Sequence, residues 1–234
     1  FATYPFENQK LSHSWVDGYM KSYKEAKLKD VRNETLESYI KKYNNDEQSF
    51  FSWYEDFDKT SDLRIKAGDF DHVYWVDALG IEWMSLIQHF VEENPSKMRI
   101  EHAYIAATGL PTSTQHNSKD CDTKISYLDE MVHGEYYQKY HTLAKQITLI
   151  GEIVDDLCRQ KADRRILIIS DHGLTALSRL YQPKKYEKKA SHEGRYILLD
   201  KPCEVADNDY LRYHSDATDF IIALKHNSLN NKPA

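Results

Sequence analysis

The stretch Arg164-Arg165-Ile166-Leu167-Ile168-Ile169-Ser170-Asp171-His172-Gly173 constrains the fold more than any other part of the chain. Its apolar core is too short for a helix and rich in β-branched Ile. It therefore reads as a strand covered on both faces, as in a parallel sheet flanked by helices. The strand stops on an acid, an imidazole and a glycine. Open α/β sheets bind ligands at the carboxyl ends of their strands, and carboxylate plus imidazole is a common ligand pair for zinc, manganese or iron. Gly173 lets the backbone turn sharply or approach a ligand closely. A strand end capped by an Asx-type turn gives the same three letters with no ligand at all.

A second strand of similar design is expected at His72-Val73-Tyr74-Trp75-Val76-Asp77-Ala78-Leu79-Gly80, followed by an amphipathic helix over 81–90. Asp77 closes this strand as Asp171 closes the other. Two acids at two parallel strand ends can converge on one metal, although an Asp capping the next helix produces the same string. A third strand is expected from Arg99 to Thr108, leading into Gly109-Leu110-Pro111-Thr112-Ser113-Thr114. A hydroxyl there needs a base or a metal to act as a nucleophile, and a Ser/Thr helix cap is the simpler use. Residues 118–122 read as a surface loop. Asp129 and His133, four apart, fall on one side of a helical turn, as metal ligands or as an exposed ion pair. Residues 137–161 carry an apolar helical face and read as the crossover feeding the Ile166 strand. Lys184-Lys185 and Lys188-Lys189 read as a solvated loop that could meet a polyanion. They lead into Ser191-His192-Glu193-Gly194-Arg195 and a strand over 196–199, where an imidazole suits a metal and a guanidinium suits a phosphate. A last strand is expected from Phe220 to Leu224, before a frayed polar tail.

Residues 1–68 are crowded with Lys, Glu, Tyr and Trp at loosely helical intervals and read as two or three helices. Their aromatics can pack helices together or stack single-stranded bases; packing is the favoured use. A length of 234 residues suits one large α/β domain, or one domain plus a helical appendage. A net charge of -6 gives no global electrostatic case for duplex DNA binding. Three cysteines, Cys121, Cys158 and Cys203, make neither a disulfide framework nor a zinc knuckle. The expectation is a reducing cytoplasm, with no signal peptide and no apolar run near the roughly 20 residues that span a bilayer.

Together, Asp77, Thr114, Asp171-His172, His192 and the Asp129/His133 pair resemble the ligand set of the alkaline phosphatase superfamily. The closer resemblance is to the PglZ domain, a branch found in bacteriophage-exclusion (BREX) defence systems and in some response regulators. It rests on Trp75-Val76-Asp77-Ala78-Leu79-Gly80, Leu110-Pro111-Thr112-Ser113-Thr114, Asp129 to His133, Ser170-Asp171-His172-Gly173 and His192-Glu193-Gly194-Arg195, which occur in the family's order over about residues 72–200.

The resemblance implies an alkaline-phosphatase-like α/β fold with a mostly parallel sheet and helices on both faces. That domain is expected over 69–234, behind a helical N-terminal extension over 1–68. It implies one metal on Asp77, Thr114, Asp171 and His172, and another on Asp129, His133 and His192. Seven N and O ligands without a thiolate favour zinc, one or two ions, with manganese as the other candidate. Thr114 is the implied nucleophile, with Thr112 as its competitor, and Arg195 with the lysines at 184–189 would neutralise substrate oxygens. The implied activity is a phosphodiesterase acting on nucleic acid or oligonucleotides, alongside other defence proteins. The alternative is a non-catalytic, metal-bound scaffold for a partner such as a methyltransferase. Members of the family often continue into a His-Gly-Gly segment after the last strand, so a domain truncated at its C-terminal side is expected.

Overall fold

The computed structural model describes residues 13–43, 49–59, 69–109, 117, 120–134, 142–160, 164–173, 177, 180–181, 196–199, 210–215 and 218–223. The chain is α/β and divides into two compact units. One comprises Phe57–Leu174 with Phe1–Lys10; the other comprises Leu11–Asp56 with Thr175–Ala234.

The first unit is built on three parallel strands, β1 (His72–Val76), β2 (Thr123–Ile125) and β3 (Ile166–Ile169), in the order β2-β1-β3. Tyr74 and Val76 point to one face, where they join Trp83 and Leu86, Leu128 and Met131, and Ile150, Ile153 and Leu157 in one core. Those side chains come from a 3₁₀ turn (Ile81–Trp83) running into α4 (Met84–Glu92), from α5 (Tyr127–His133) and from α6 (Leu143–Cys158). The apolar spacing of α6 therefore meets a real partner face, and α6 does lead toward β3. The central strand is β1, in which Tyr74, Trp75 and Val76 are all buried. This corrects the expectation for β3. Its four residues are only half-buried, because the strand stands at one end of the described sheet.

One further expectation is corrected. Residues 99–106 form no strand, and Ala107 makes a single parallel bridge to Lys59. Of its large apolar residues, Ile105 is buried while Ile100 and Tyr104 are exposed, so the segment offers the sheet little apolar surface to cover. The place beside β1 is taken by β2, which begins directly after the 118–122 stretch read as loop and over residues for which no element is expected. Short as it is, β2 is fastened by its neighbours. Asp122 exchanges bonds with Val73, its Oδ2 accepting from the Val73 amide at 2.7 Å and its amide donating to Val73 O at 2.9 Å. His72 Nε2 lies 2.9 Å from Thr123 Oγ1, and the Asp77 amide donates to Ile125 O at 2.9 Å.

The second unit holds α1 (Val16–Lys29), α2 (Glu34–Lys42) and α3 (Phe50–Glu55), together with an antiparallel sheet of β4 (Tyr196–Leu199), β5 (Tyr210–Ser215) and β6 (Thr218–Ala223) in the order β4-β6-β5. The division does not follow the expected boundary at residue 68. Leu177, Leu180 and Tyr181 pack with Ala26, Leu36 and Ile40 of the N-terminal helices, which ties sequence beyond the parallel sheet to the start of the chain. The aromatics here pack on one another, as favoured: buried Trp15 stacks on Tyr43 at 4.7 Å and meets the edge of Phe50 at 4.6 Å. Asn33 caps α2 by accepting from the Leu36 amide. Among the described residues no helix is long and apolar enough to cross a membrane.

Tyr181 donates to Glu37 Oε1 at 3.0 Å, and burial, reinforced by that carboxylate, pushes its phenol up to about 12. The folded value lies above the unfolded value of about 10. Its contribution to stability is therefore complete below pH about 10 and lost as pH rises through about 12. Tyr181→Phe is expected to cost roughly 1 kcal/mol at neutral pH and to flatten the fall in stability across that alkaline window. Urea midpoints measured against pH check both effects.

Candidate metal centre

Asp77 follows directly on β1, and Asp171 and His172 follow β3 after Ser170, so one end of the parallel sheet carries all three. Just beyond Asp77, Ala78 is held at φ 64, a left-handed conformation that costs a non-glycine residue on the order of 1 kcal/mol. The turn leads through Leu79 and Gly80 into the 3₁₀ turn. A Cβ on Gly173 would stand 3.0 Å from the Gly80 Cα, so the two strand-end loops meet backbone to backbone. Gly173 here serves the close approach of one backbone to another, a use distinct from the sharp turn or the approach to a ligand expected of it. The Asp171 carboxylate holds this junction: Oδ1 accepts from the His172 amide at 3.0 Å and, more weakly, from the Ala78 amide at 3.5 Å.

Ligand atoms of Asp77, Asp129 and His172 all lie within 4.8 Å of one another, a group that could hold a metal ion. Asp129 reaches it from the first turn of α5, whose Leu128 and Met131 are anchored in the core. Asp77 and Asp171 are each 2% exposed, and Asp77 Oδ1 is buried without a hydrogen-bond partner among the described residues. An unpaired buried carboxylate oxygen is costly, and a cation is the natural remedy. The tautomer of His172 points the same way. Its Nδ1 lies 3.0 Å from Gly173 O, which can only accept, so Nδ1 carries a proton. In the neutral ring Nε2 then offers a lone pair, 3.4 Å from Asp77 Oδ1 and 3.6 Å from Asp171 Oδ2. A ring that donates one nitrogen to a backbone carbonyl and turns the other toward carboxylates has the arrangement of a metal-ligating histidine. The donor set fits a divalent ion.

Burial raises the Asp77 carboxyl above the usual carboxylate range; Asp171 and Asp129 add to this, and the hydrogen bond from Lys124 opposes it. Lys124 Nζ lies 2.7 Å from Asp77 Oδ2, and this hydrogen bond holds the ammonium above its ordinary value. Lys124 belongs to the short strand that the sequence did not reveal, and nothing in the sequence marks it out.

The structure thus unites Asp77, Asp129 and His172, with Asp171 beside them. The implied partition placed Asp129 at a separate metal with His133 and His192. Here Asp129 shares the Asp77 group, and half-exposed His133 lies 3.3 Å from Asp129 Oδ2. Thr112, Thr114, His192, Arg195 and the lysines at 184–189 lie outside the described residues. The two flanks of the Thr112 to Thr114 segment are tied to each other, since buried Asn117 donates through Nδ2 to Gly109 O at 3.1 Å. No family model matches the chain, and no curated protein or solved structure matches it.

Proposed function

We propose that the protein is a metal-dependent phosphoryl-transfer hydrolase of the alkaline-phosphatase-like, PglZ type, acting on phosphodiesters of nucleic acid or oligonucleotides in antiphage defence. The observation that carries this reading is the largely buried group of Asp77, Asp129 and His172 at one end of the parallel strands, with Asp77 Oδ1 lacking a hydrogen-bond partner among the described residues. Oxygen and imidazole donors without a thiolate favour zinc over softer-ligand metals, with manganese next.

Asp77, Asp129 and His172 would hold the ion, Asp171 would fix the strand-end backbone, and His133 with His192 would complete a second position. When bound, the metal supplies Lewis acidity, lowering the pKa of a coordinated hydroxyl and neutralising charge on phosphoryl oxygens. Thr114 is the nucleophile in this reading. Its Oγ1 forms the bond to phosphorus as the bond to the leaving oxygen breaks, the hydroxyl proton ends on the leaving group or solvent, and water later releases Thr114. Arg195 and the nearby lysines neutralise the non-bridging oxygens. Cytoplasmic defence proteins are the partners this reading implies.

The test is turnover of a chromogenic phosphodiester and of the matching monoester, after chelation and after zinc is restored. Zinc-dependent activity that favours the diester is expected. Preference for the monoester would indicate a generic phosphatase. Stoichiometric zinc with no turnover of either ester would indicate the scaffold.

A further inference from the structure

Asp77 has two oxygens in different circumstances. Oδ2 accepts from Lys124 Nζ at 2.7 Å, whereas Oδ1 is buried, has no hydrogen-bond partner among the described residues and faces His172 Nε2 at 3.4 Å. A carboxylate can meet a metal through one oxygen or both, and what holds the second oxygen decides between them. We infer that Lys124 is a positioning residue for the metal centre, which by engaging Asp77 Oδ2 turns Oδ1 alone toward the ion shared with Asp129 and His172. This rests on the metal-centre reading above and adds to it a residue whose role is exerted through Asp77.

The lysine is built into the sheet. Lys124 is the register partner of Trp75, so the two side chains stand on the same face, and Asp77 follows two residues beyond Trp75 on that face. The ammonium lies 5.6 Å from the centre of the Trp75 ring, within reach of a cation–π contact. Its strand is held by the Asp122–Val73, His72–Thr123 and Asp77–Ile125 bonds on either side of it. A lysine on a free loop would have no fixed position relative to Asp77; one in a pinned strand does. The side chain is 43% exposed, so its stem approaches from solvent while only its head meets the buried carboxylate, itself 3% exposed. Because Nζ takes Oδ2 and leaves Oδ1 toward His172, it supports the ligand arrangement instead of filling the place of the ion. It also brings a positive charge to a cluster of three carboxylates, those of Asp77, Asp129 and Asp171. Hydrogen-bonding partners of metal ligands orient them, and their loss typically costs about 10–100-fold in metal affinity.

The experiment compares the wild-type protein with Lys124→Met, which keeps the apolar stem and loses the donor. Zinc affinity is read by competition with a chromophoric chelator, and the visible spectrum is read after loading with cobalt(II). Lys124→Met is expected to bind zinc about 10–100-fold more weakly. Its metal-free circular dichroism should be unchanged, and its cobalt bands should shift because Asp77 is now free to use both oxygens. A merely structural lysine would leave the cobalt spectrum alone. Unchanged or tighter zinc binding by a folded Lys124→Met would overturn the inference and leave the metal centre standing. A wild-type protein that binds no zinc would overturn both.

Discussion

Asp77→Asn is expected to abolish stabilisation by zinc while leaving the metal-free protein at least as stable as the wild type. Burial raises the Asp77 carboxyl, so its ionised form is disfavoured in the metal-free fold. The sign follows from linkage: a folded pKa above the unfolded value of about 3.9 gives a contribution that is complete below that value and lost as pH rises through the folded one. At neutral pH the carboxylate therefore works against the metal-free fold. Asn removes the charge and keeps the shape, and half-exposed Lys124 can turn to water. For the wild type, zinc at a hundredfold excess over its Kd should add about 2.7 kcal/mol. In a chain of this size that corresponds to a rise in Tm on the order of 5–10 °C. The variant should show no rise. Melting curves with and without zinc check both parts, and a variant that retains the zinc-induced shift would remove Asp77 from the centre.

On the proposed function, Thr114→Val is expected to abolish turnover with the fold intact, because it deletes the oxygen assigned as nucleophile and keeps the β-branched shape. Thr112→Val should instead retain most activity and, if its hydroxyl caps a helix, lose roughly 0.5–2 kcal/mol of stability. The comparison matters because Thr112, Ser113 and Thr114 all follow Pro111 closely. Steady-state turnover of a chromogenic diester and urea midpoints on the two variants separate the roles. Normal turnover in Thr114→Val with loss in Thr112→Val would reverse the assignment.

Much of this centre is legible in the sequence, for a physical reason. Strands β1 and β3 announce themselves through apolar runs that stop on polar residues, and strand ends in α/β sheets collect ligands. Asp77 and Asp171-His172 are visible in that way, and the spacing of Asp129 and His133 puts both on one side of α5. The partial burial of β3 is not legible, because an apolar run does not say whether its strand is central or terminal. Strand β2 is hidden because it has three residues, one of them charged, and owes its existence to bonds with Val73, His72 and Asp77 that no local pattern encodes. Lys124 is hidden with it. Residues 99–108 mislead in the opposite direction, since the stretch reads as a strand but buries only Ile105 while Ile100 and Tyr104 are exposed. The division of the chain is not a local property either, because it depends on Leu177, Leu180 and Tyr181 meeting helices more than a hundred residues earlier.

The most direct test of the metal centre is zinc X-ray absorption on protein stripped with chelator and reloaded to stoichiometry. Binding through Asp77, Asp129 and His172 should give a shell of nitrogen and oxygen only, at about 2.0–2.2 Å, with the outer scattering of imidazole. The same shell should be lost in His172→Ala. A sulfur shell at about 2.3 Å, which would transfer the metal to free thiols such as Cys121 or Cys158, or the absence of stoichiometric zinc, would contradict it.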